Sequence, residues 1–449
     1  MQAGQGDLAP AQALLLAAAA AGAGFAVQVN DGQFHPLALG LLTVVLVAAL
    51  AAASSRRAAR SHITGAALVA FLGVALLIQL AELGRRPIAF DLRVAPEQAS
   101  PVYVALAAAL ILGAAITFRV RLLARWHVPL LLAVHFALGV WVIRHAHPGI
   151  DVFVFQHNAL NALARGTNPY TITFPNIYHP DTSFYGPGLV ADGKLQFGFP
   201  YPPSSLFFVL PARLLAGDLR YAYLASLTAA GAFLAYARPG RVAALAAAVM
   251  LFSPRAFFVL QMSWTEPLLV MLLAAALFAA VRAPRVLPIA LGVLLASKQY
   301  LALMVPAVWL LVDEGPRRLR RALALLAKAG AVVLVLTLPL ALWAPRAFFR
   351  SVVALQFDQP FRSDALSYLA LWARSVGGKP PSAVAFLAAA GAMVLSLRRF
   401  PATPAGCGAA VGVTSLAFFS FNKQAFCNYY FFAIGALCAA VSVVKLREA

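Results

Sequence analysis

Residues 36–60 read PLALGLLTVVLVAALAAASSRRAAR, an unbroken apolar run that stops at a knot of arginines, Arg56, Arg57 and Arg60. A helix of about 20 residues rises about 1.5 Å per residue and so crosses the roughly 30 Å hydrocarbon core of a bilayer. Runs of this kind recur along all 449 residues. They do not alternate with a period of two, which excludes the strands of a membrane barrel. Hydrophobic residues make up 62% of the chain and charged residues 11%, whereas a soluble domain carries roughly 25% charged residues. So few charges cannot cover a soluble protein of this length. The expected fold is an all-α, polytopic transmembrane helical bundle.

Lys and Arg number 35 against 15 Asp and Glu, a net charge of +20. The basic residues are scattered in small clusters between apolar runs, not gathered on one patch. That pattern fits the positive-inside rule and contact with anionic membrane lipids, and argues against nucleic acid as a partner. The clusters are Arg56–Arg60, Arg119–Arg125, Arg238–Arg241, Arg282–Arg285, Arg317–Arg321, Arg398–Arg399 and Lys445–Arg447. Placing all of them, and both termini, in the cytoplasm gives about 14 spans. They lie near 12–28, 36–53, 64–82, 102–118, 128–143, 221–237, 241–258, 266–281, 286–297, 300–312, 322–343, 382–397, 405–421 and 428–444. Segments 204–216 and 363–376 are too short to cross and read as re-entrant or interfacial helices. The Met1–Pro10 segment has no basic stretch, so the run after it reads as a retained first helix rather than a cleaved signal. Cys407, Cys427 and Cys438 make neither a metal spacing nor a disulfide framework.

This topology puts the polar, non-basic connections on one outer side: 144–202, 259–265, the tip 297–299, 344–375 and 422–427. Helices up to about residue 122 are bland and rich in Ala and Leu; the residues with chemistry fall in 123–449. The largest connection, 144–202, opens on Asp151 and continues as Val152-Phe153-Val154-Phe155-Gln156-His157-Asn158 to Arg165. Val152, Phe155, Ala159 and Leu163 share one face at helical spacing and Asn158, Asn161 and Arg165 another, so this is an amphipathic interfacial helix that Gly166 ends. Asp151 stands at the membrane boundary. One reading makes it an N-cap. The other makes it a general base whose pKa a low-dielectric boundary raises.

The order Asp151-x-Phe153-x-Phe155-x-x-Asn158-Ala159-x-x-Ala162-x-x-x-Gly166-x-x-Pro169-Tyr170, followed by Tyr201-Pro202-Pro203, resembles membrane glycosyltransferases of the GT-C type. It is most similar to glycosyltransferase family 87, the polyprenyl-phosphate-mannose-dependent mannosyltransferases. Weaker similarity runs through Gln261–Glu266, Ser297-Lys298-Gln299, Arg362–Ser367 and Asn428-Tyr429-Tyr430. The resemblance begins near residue 127 and implies that 123–449 is the catalytic module and 1–122 a four-helix region of unknown role. It implies Asp151 as catalytic base, a polyprenyl-phosphate sugar as donor, a lipid or glycan hydroxyl as acceptor and a plasma-membrane enzyme of a bacterium acting on its outer face. In the family the acid follows the first transmembrane helix; here it follows the fifth.

Departure of a lipid phosphate leaves negative charge that fixed cations stabilise in a water-poor site. The outer-side candidates are Lys298, Arg362 and Lys423, with Arg350 behind them. Lys298 either faces the site or snorkels to the outer surface; Arg362 either meets phosphate or pairs with Asp364 or Asp358. Candidate substrate-binding residues are His157, Asn158, Tyr170, His179, Tyr201, Gln261, Trp264 and Glu266. The aromatic ones equally suit an interfacial belt, and Glu266 a first-turn acid. No metal or cofactor is implied. A transporter or flippase of an amphipathic substrate is the competing class, and would show charges at the midplane of several helices and an internal repeat.

Overall fold

The computed structural model describes residues 6–54, 63–86, 88–89, 99–178, 184–186 and 188–445. Helices α1 (Pro10–Val29), α2 (Pro36–Ser54), α3 (Gly65–Arg85), α4 (Ser100–Thr117) and α5 (His127–His145) come first. The long connection then opens with α6 (Asp151–Ala164), whose Val152, Phe155 and Ala159 are buried as the pattern requires. It also holds β1 (Phe174–Pro175), β2 (Val190–Ala191) and β3 (Lys194–Leu195), antiparallel in the order β1-β3-β2, with Leu195 opposite both Phe174 and Val190. Gly166, at φ +70, turns the chain out of α6, a backbone conformation that glycine adopts without strain.

The second part begins with α7 (Ser204–Ala216), α8 (Arg220–Ala237), α9 (Arg241–Leu251), α10 (Ala256–Gln261), α11 (Glu266–Arg282) and α12 (Leu287–Leu295). After the Gln299–Leu311 segment come α13 (Arg318–Trp343), α14 (Pro345–Phe349), α15 (Leu355–Asp358), α16 (Tyr368–Ser375), α17 (Ala383–Arg399), α18 (Pro404–Ser420) and α19 (Cys427–Ser442). Thr403 and Ser367 start α18 and α16 by accepting the backbone N–H of Gly406 and Ala370. Glycines let α18 and α19 approach closely: a Cβ on Gly408 would lie 3.1 Å from the Ala440 backbone.

Among the described residues six helices are long and apolar enough to cross a membrane, the last being α13, of whose apolar window only 11% is buried. Two elements differ from expectation. The apolar stretch 241–258 is not one helix: Ser253-Pro254 interrupts it and Arg255 takes φ +69, which separates α9 from α10. The second arm of the hairpin around Lys298 is a 3-10 helix, Gln299–Leu311, with Pro306 inside it. At about 2.0 Å per residue a 3-10 helix covers more length than an α-helix with the same number of residues.

The two ends of the bundle differ in chemistry. At one end Arg238 approaches Asp7 at 3.8 Å, and Asp7 accepts from the Thr403 hydroxyl (3.0 Å) and the Lys445 N–H (2.8 Å). Arg282 donates there to the Ala237 carbonyl and Arg241 to that of Thr117. At the opposite end lie the α1–α2 turn, the 144–202 connection, the α10–α11 turn and Lys298. α7 begins and ends at that second end: Ser204 donates to Ala296, while Asp218 just beyond it pairs with Arg220, which donates to Ile143 and Ala146. It runs along this end instead of through the bundle, as its length requires.

The N-terminal helices are not a separate body. One hydrophobic core includes α1 and α2 together with α18 and α19. The α1–α2 turn is wedged against the C-terminal half: Gln33 bridges to Ala365, the Phe34 N–H donates to the Asp364 carbonyl, and Asp31 pairs with Arg255. Gly32, at φ +76, sits so close to Cys427 that an added Cβ would be 2.3 Å from its backbone nitrogen. Gly32→Val should therefore lower stability by about 1–3 kcal/mol or more, checked by thermal unfolding in detergent; an unchanged midpoint contradicts this packing. A cysteine placed at the exposed Asp192 and one at the exposed Arg317 should be labelled by a membrane-impermeant reagent from opposite sides.

Candidate active site

Asp151 is the first residue of α6, and Ile150, not Asp151, is its N-cap. The carboxylate instead turns inward. Its Oδ2 accepts a 2.7 Å hydrogen bond from the Tyr185 hydroxyl. Its backbone N–H points at the Tyr178 hydroxyl at 3.5 Å. Tyr178 packs on Phe184 and Tyr185 on Phe197, so the two phenols are fixed by an aromatic layer. Burial raises the Asp151 pKa above the ordinary carboxylate value; the Tyr185 hydrogen bond, the Val152 N–H and the charge of Arg362 act against that rise. Tyr185 is driven the other way from ionisation by burial and by the neighbouring carboxylate, so it remains a donor.

Asp151 lines a cavity of about 330 Å³, within the range of small-molecule sites of about 300–1,000 Å³. Lys298, Arg362, Tyr201 and Trp264 line the same cavity. Five separate stretches of chain thus bring the expected base, two expected cations and two expected aromatics to one place.

Lys298 does not snorkel to the surface: it is buried, with 6% exposure. Its Nζ lies 3.3 Å from Glu266 Oε1, donates to the Thr265 hydroxyl at 2.7 Å, and stands 4.2 Å from the centre of the Tyr201 ring. A point charge at this depth is held by a carboxylate, a hydroxyl and a π face together. Glu266 is wholly buried at the start of α11, so it is more than a solvated first-turn acid; it serves as counter-ion to Lys298 and does not itself line the cavity. Arg362 forms a fork with Asp364 through Nε (2.7 Å) and Nη2 (2.5 Å), and its guanidinium lies over Phe184 and Phe426. That arrangement leaves Nη1 outside the fork.

Other expected residues have supporting places. Tyr170 is buried away from the cavity; its hydroxyl donates to the Tyr201 carbonyl at 2.8 Å, and Asn168 donates to Leu340 of α13. The Asn168-Pro169-Tyr170 turn therefore holds Tyr201 beneath Lys298. Gln261 donates to the His147 carbonyl at 2.9 Å and does not line the cavity. Lys423 is turned aside: its Nζ donates to the carbonyls of Phe357 (3.1 Å) and Gln359 (2.7 Å), which staples two connections together. His157 stacks on Phe153 and, with Asn158, lies outside the cavity wall, because the wall takes the Val152 and Phe155 face of α6. His179 lies outside the described residues. Among the described residues no group of three His, Cys, Asp or Glu side chains gathers as metal ligands.

Tyr178 and Tyr185, aromatics that by sequence suit either a sugar face or an interfacial belt, also line the cavity, and so do Asp31 and Gln33, which were not among the expected site residues. Nothing in the sequence separates Tyr185 from an ordinary interfacial tyrosine. Asp31 had a signal: it is a lone acid between two apolar runs, on the side that the arginine pattern calls outer.

A second hollow of about 690 Å³ meets the first at Lys298. Its wall is apolar, with Leu295, Ala302, Val305, Val333, Leu334 and Phe348, and it lies against the sparsely buried α13. No family model matches the chain, and no curated protein or solved structure is similar to it.

Tyr185→Phe should raise the Asp151 pKa further, because it removes a hydrogen bond that favours the charged form. Infrared titration of the carboxylate band, identified by its loss in Asp151→Asn, checks this; a fall contradicts it. Since the folded pKa lies above the unfolded one, the stability tied to Asp151 is full below the unfolded value. It is lost as pH rises through the folded value. Glu266→Ala leaves Lys298 buried without a counter-ion and should destabilise by about 3–5 kcal/mol; the same thermal assay reads it.

Proposed function

We propose that this protein is a membrane glycosyltransferase of the GT-C type. It moves a hexose, mannose by the resemblance, from a polyprenyl-phosphate donor to a hydroxyl of a lipid or glycan acceptor. The observation that carries this proposal is the junction at Lys298. There a polar cavity, holding a buried carboxylate and two cations, and an apolar groove beside a sparsely buried helix share Lys298 in their walls. A substrate that is polar at one end and a long hydrocarbon at the other suits both compartments at once, with its phosphate at the boundary.

The reaction is a single displacement. Asp151 takes the proton of the acceptor hydroxyl as its oxygen attacks the anomeric carbon. The bond from that carbon to the phosphate oxygen breaks, and its electron pair leaves with the polyprenyl phosphate. The anomeric configuration inverts. A raised pKa makes Asp151 a stronger base than a solvated carboxylate. Arg362 and Lys298 face the developing phosphate charge; their carboxylate partners hold them in place before substrate arrives, so little reorganisation is needed during reaction.

In the same proposal α8, α9 with α10, α11, α12, the Gln299–Leu311 segment, α17, α18 and α19 cross the bilayer with the six long helices, which gives about 14 spans. The arginine end faces the cytoplasm and the cavity faces outward across a plasma membrane. Nucleotide sugars are absent on that face, so the donor must be lipid-linked.

Asp151→Asn should lower turnover by roughly 10²–10⁴-fold, the usual contribution of a general base, with little change in thermal stability. Arg362→Ala should instead weaken donor use, by about 10- to 100-fold, as expected for a lost charged hydrogen bond of about 1.5–3 kcal/mol. Both are read as transfer of labelled mannose from polyprenyl-phosphate mannose in reconstituted vesicles. Full activity in Asp151→Asn sinks the base assignment.

A further inference from the structure

Beside its cations the cavity also carries a set of uncharged polar residues. It presents the side-chain amides of Gln33, Gln356, Gln359, Gln424 and Asn428, with Asp31 beside them. Gln424 donates through Nε2 to the Pro360 carbonyl, which leaves its amide oxygen for another partner. The side-chain amides of Gln33, Gln356, Gln359 and Asn428 have no hydrogen-bond partner among the described residues. Gln33 is exposed and Gln356, Gln359 and Gln424 are half-buried, so the amides are open to the cavity and available to a ligand.

Each amide offers two N–H donors and one carbonyl acceptor and carries no charge. A cluster of such groups suits hydroxyls, which donate and accept, and suits a phosphate poorly, because a phosphate calls for donors alone. Phe258, Trp264 and Tyr429 add apolar ring surfaces to the same cavity. Amides at the edges of a ring and aromatic surfaces around it are the complement of a pyranose, whose hydroxyls lie at its rim and whose faces carry C–H groups.

We infer that the α1–α2 turn, through Asp31 and Gln33, joins the amides of the 356–428 connections to form a hydroxyl-reading subsite for the transferred hexose. The N-terminal helices are then part of the site and set its sugar specificity. The turn is fastened where such a role demands. Gln33 is held by its bridge to Ala365, three residues from Arg362, and Asp31 by Arg255. The same segment thus ties the phosphate-facing arginine to the hydroxyl-facing amide. This subsite rests on the glycosyl-transfer proposal for the identity of its ligand, but its binding is measured without any transfer.

The test uses full-length protein in nanodiscs, with tryptophan fluorescence as readout and Trp264→Phe to identify the reporting ring. Two probes are titrated, hexyl mannoside and decyl phosphate. Gln33→Ala and Asn428→Ala should each weaken hexyl mannoside by roughly 3- to 10-fold, as expected for one neutral hydrogen bond, while decyl phosphate stays within about 2-fold and the thermal midpoint holds. Unchanged hexyl mannoside binding in both variants overturns the subsite, and so does an equal loss for both probes, which marks a general collapse of the cavity. Asp151→Asn separates the two ideas. Amide-dependent mannoside binding in a protein whose transfer ignores Asp151→Asn retains the subsite and rejects the base. Asp151-dependent transfer with amide-independent binding does the reverse.

Discussion

The buried pair of Lys298 and Glu266 is the constraint around which this end of the molecule is arranged. Two charges taken out of water are tolerated only when each is met by the other and by further polar contacts. Thr265 and the Tyr201 ring supply those contacts to the lysine. Meeting that need brings the start of α11, the tip after α12 and the Tyr201-Pro202-Pro203 return of the long connection to one point. Further bonds secure it: Gln299 donates to Pro200 and Val352, and Ser204 to Ala296. The same lysine stands where a polar cavity and an apolar groove meet. One electrostatic requirement thereby organises both compartments.

Asp151 obeys a related rule with the opposite balance. Among the described residues it has no ion pair in contact; it has a phenol at hydrogen-bond distance and a guanidinium farther off. Its proton affinity is therefore set mainly by lost hydration. A carboxylate short of counter-charge beside cations that already have theirs is an uneven distribution, and the unevenness is what gives the cavity chemical direction. In the proposed reaction it assigns proton uptake to Asp151 and the departing negative charge to the cations.

The N-terminal helices show how a region without distinctive residues can still belong to a site. α1 to α4 are Ala- and Leu-rich, yet Asp31 and Gln33 from the turn between α1 and α2 line the same cavity as Asp151. The α1–α2 turn carries Asp31 and Gln33 into the cavity because Gly32 can press against Cys427 and because Arg255 requires a counter-ion. Arg255 itself protrudes there only because Pro254 breaks the helix that the apolar pattern alone would continue. Composition reports that such helices lie in lipid; it does not report which turn between them is drawn inward.

What the sequence determined by itself is what depends on neighbouring residues and on solvent. Apolar runs ending in arginines define helices, their ends and the two chemically distinct ends of the bundle, since hydrocarbon excludes charge wherever it occurs. The helical spacing of Val152, Phe155 and Ala159 defined the buried face of α6, and an acid at its start marked Asp151. What only the tertiary structure decided is which partner each buried polar group meets. Tyr185 lies 34 residues from Asp151, Glu266 and Lys298 are separated by the two helices α11 and α12, and Gln33 reaches Ala365 across most of the chain. Such contacts are selected by the need to satisfy every polar group removed from water. That need is a property of the packed molecule, and no local stretch of residues carries it.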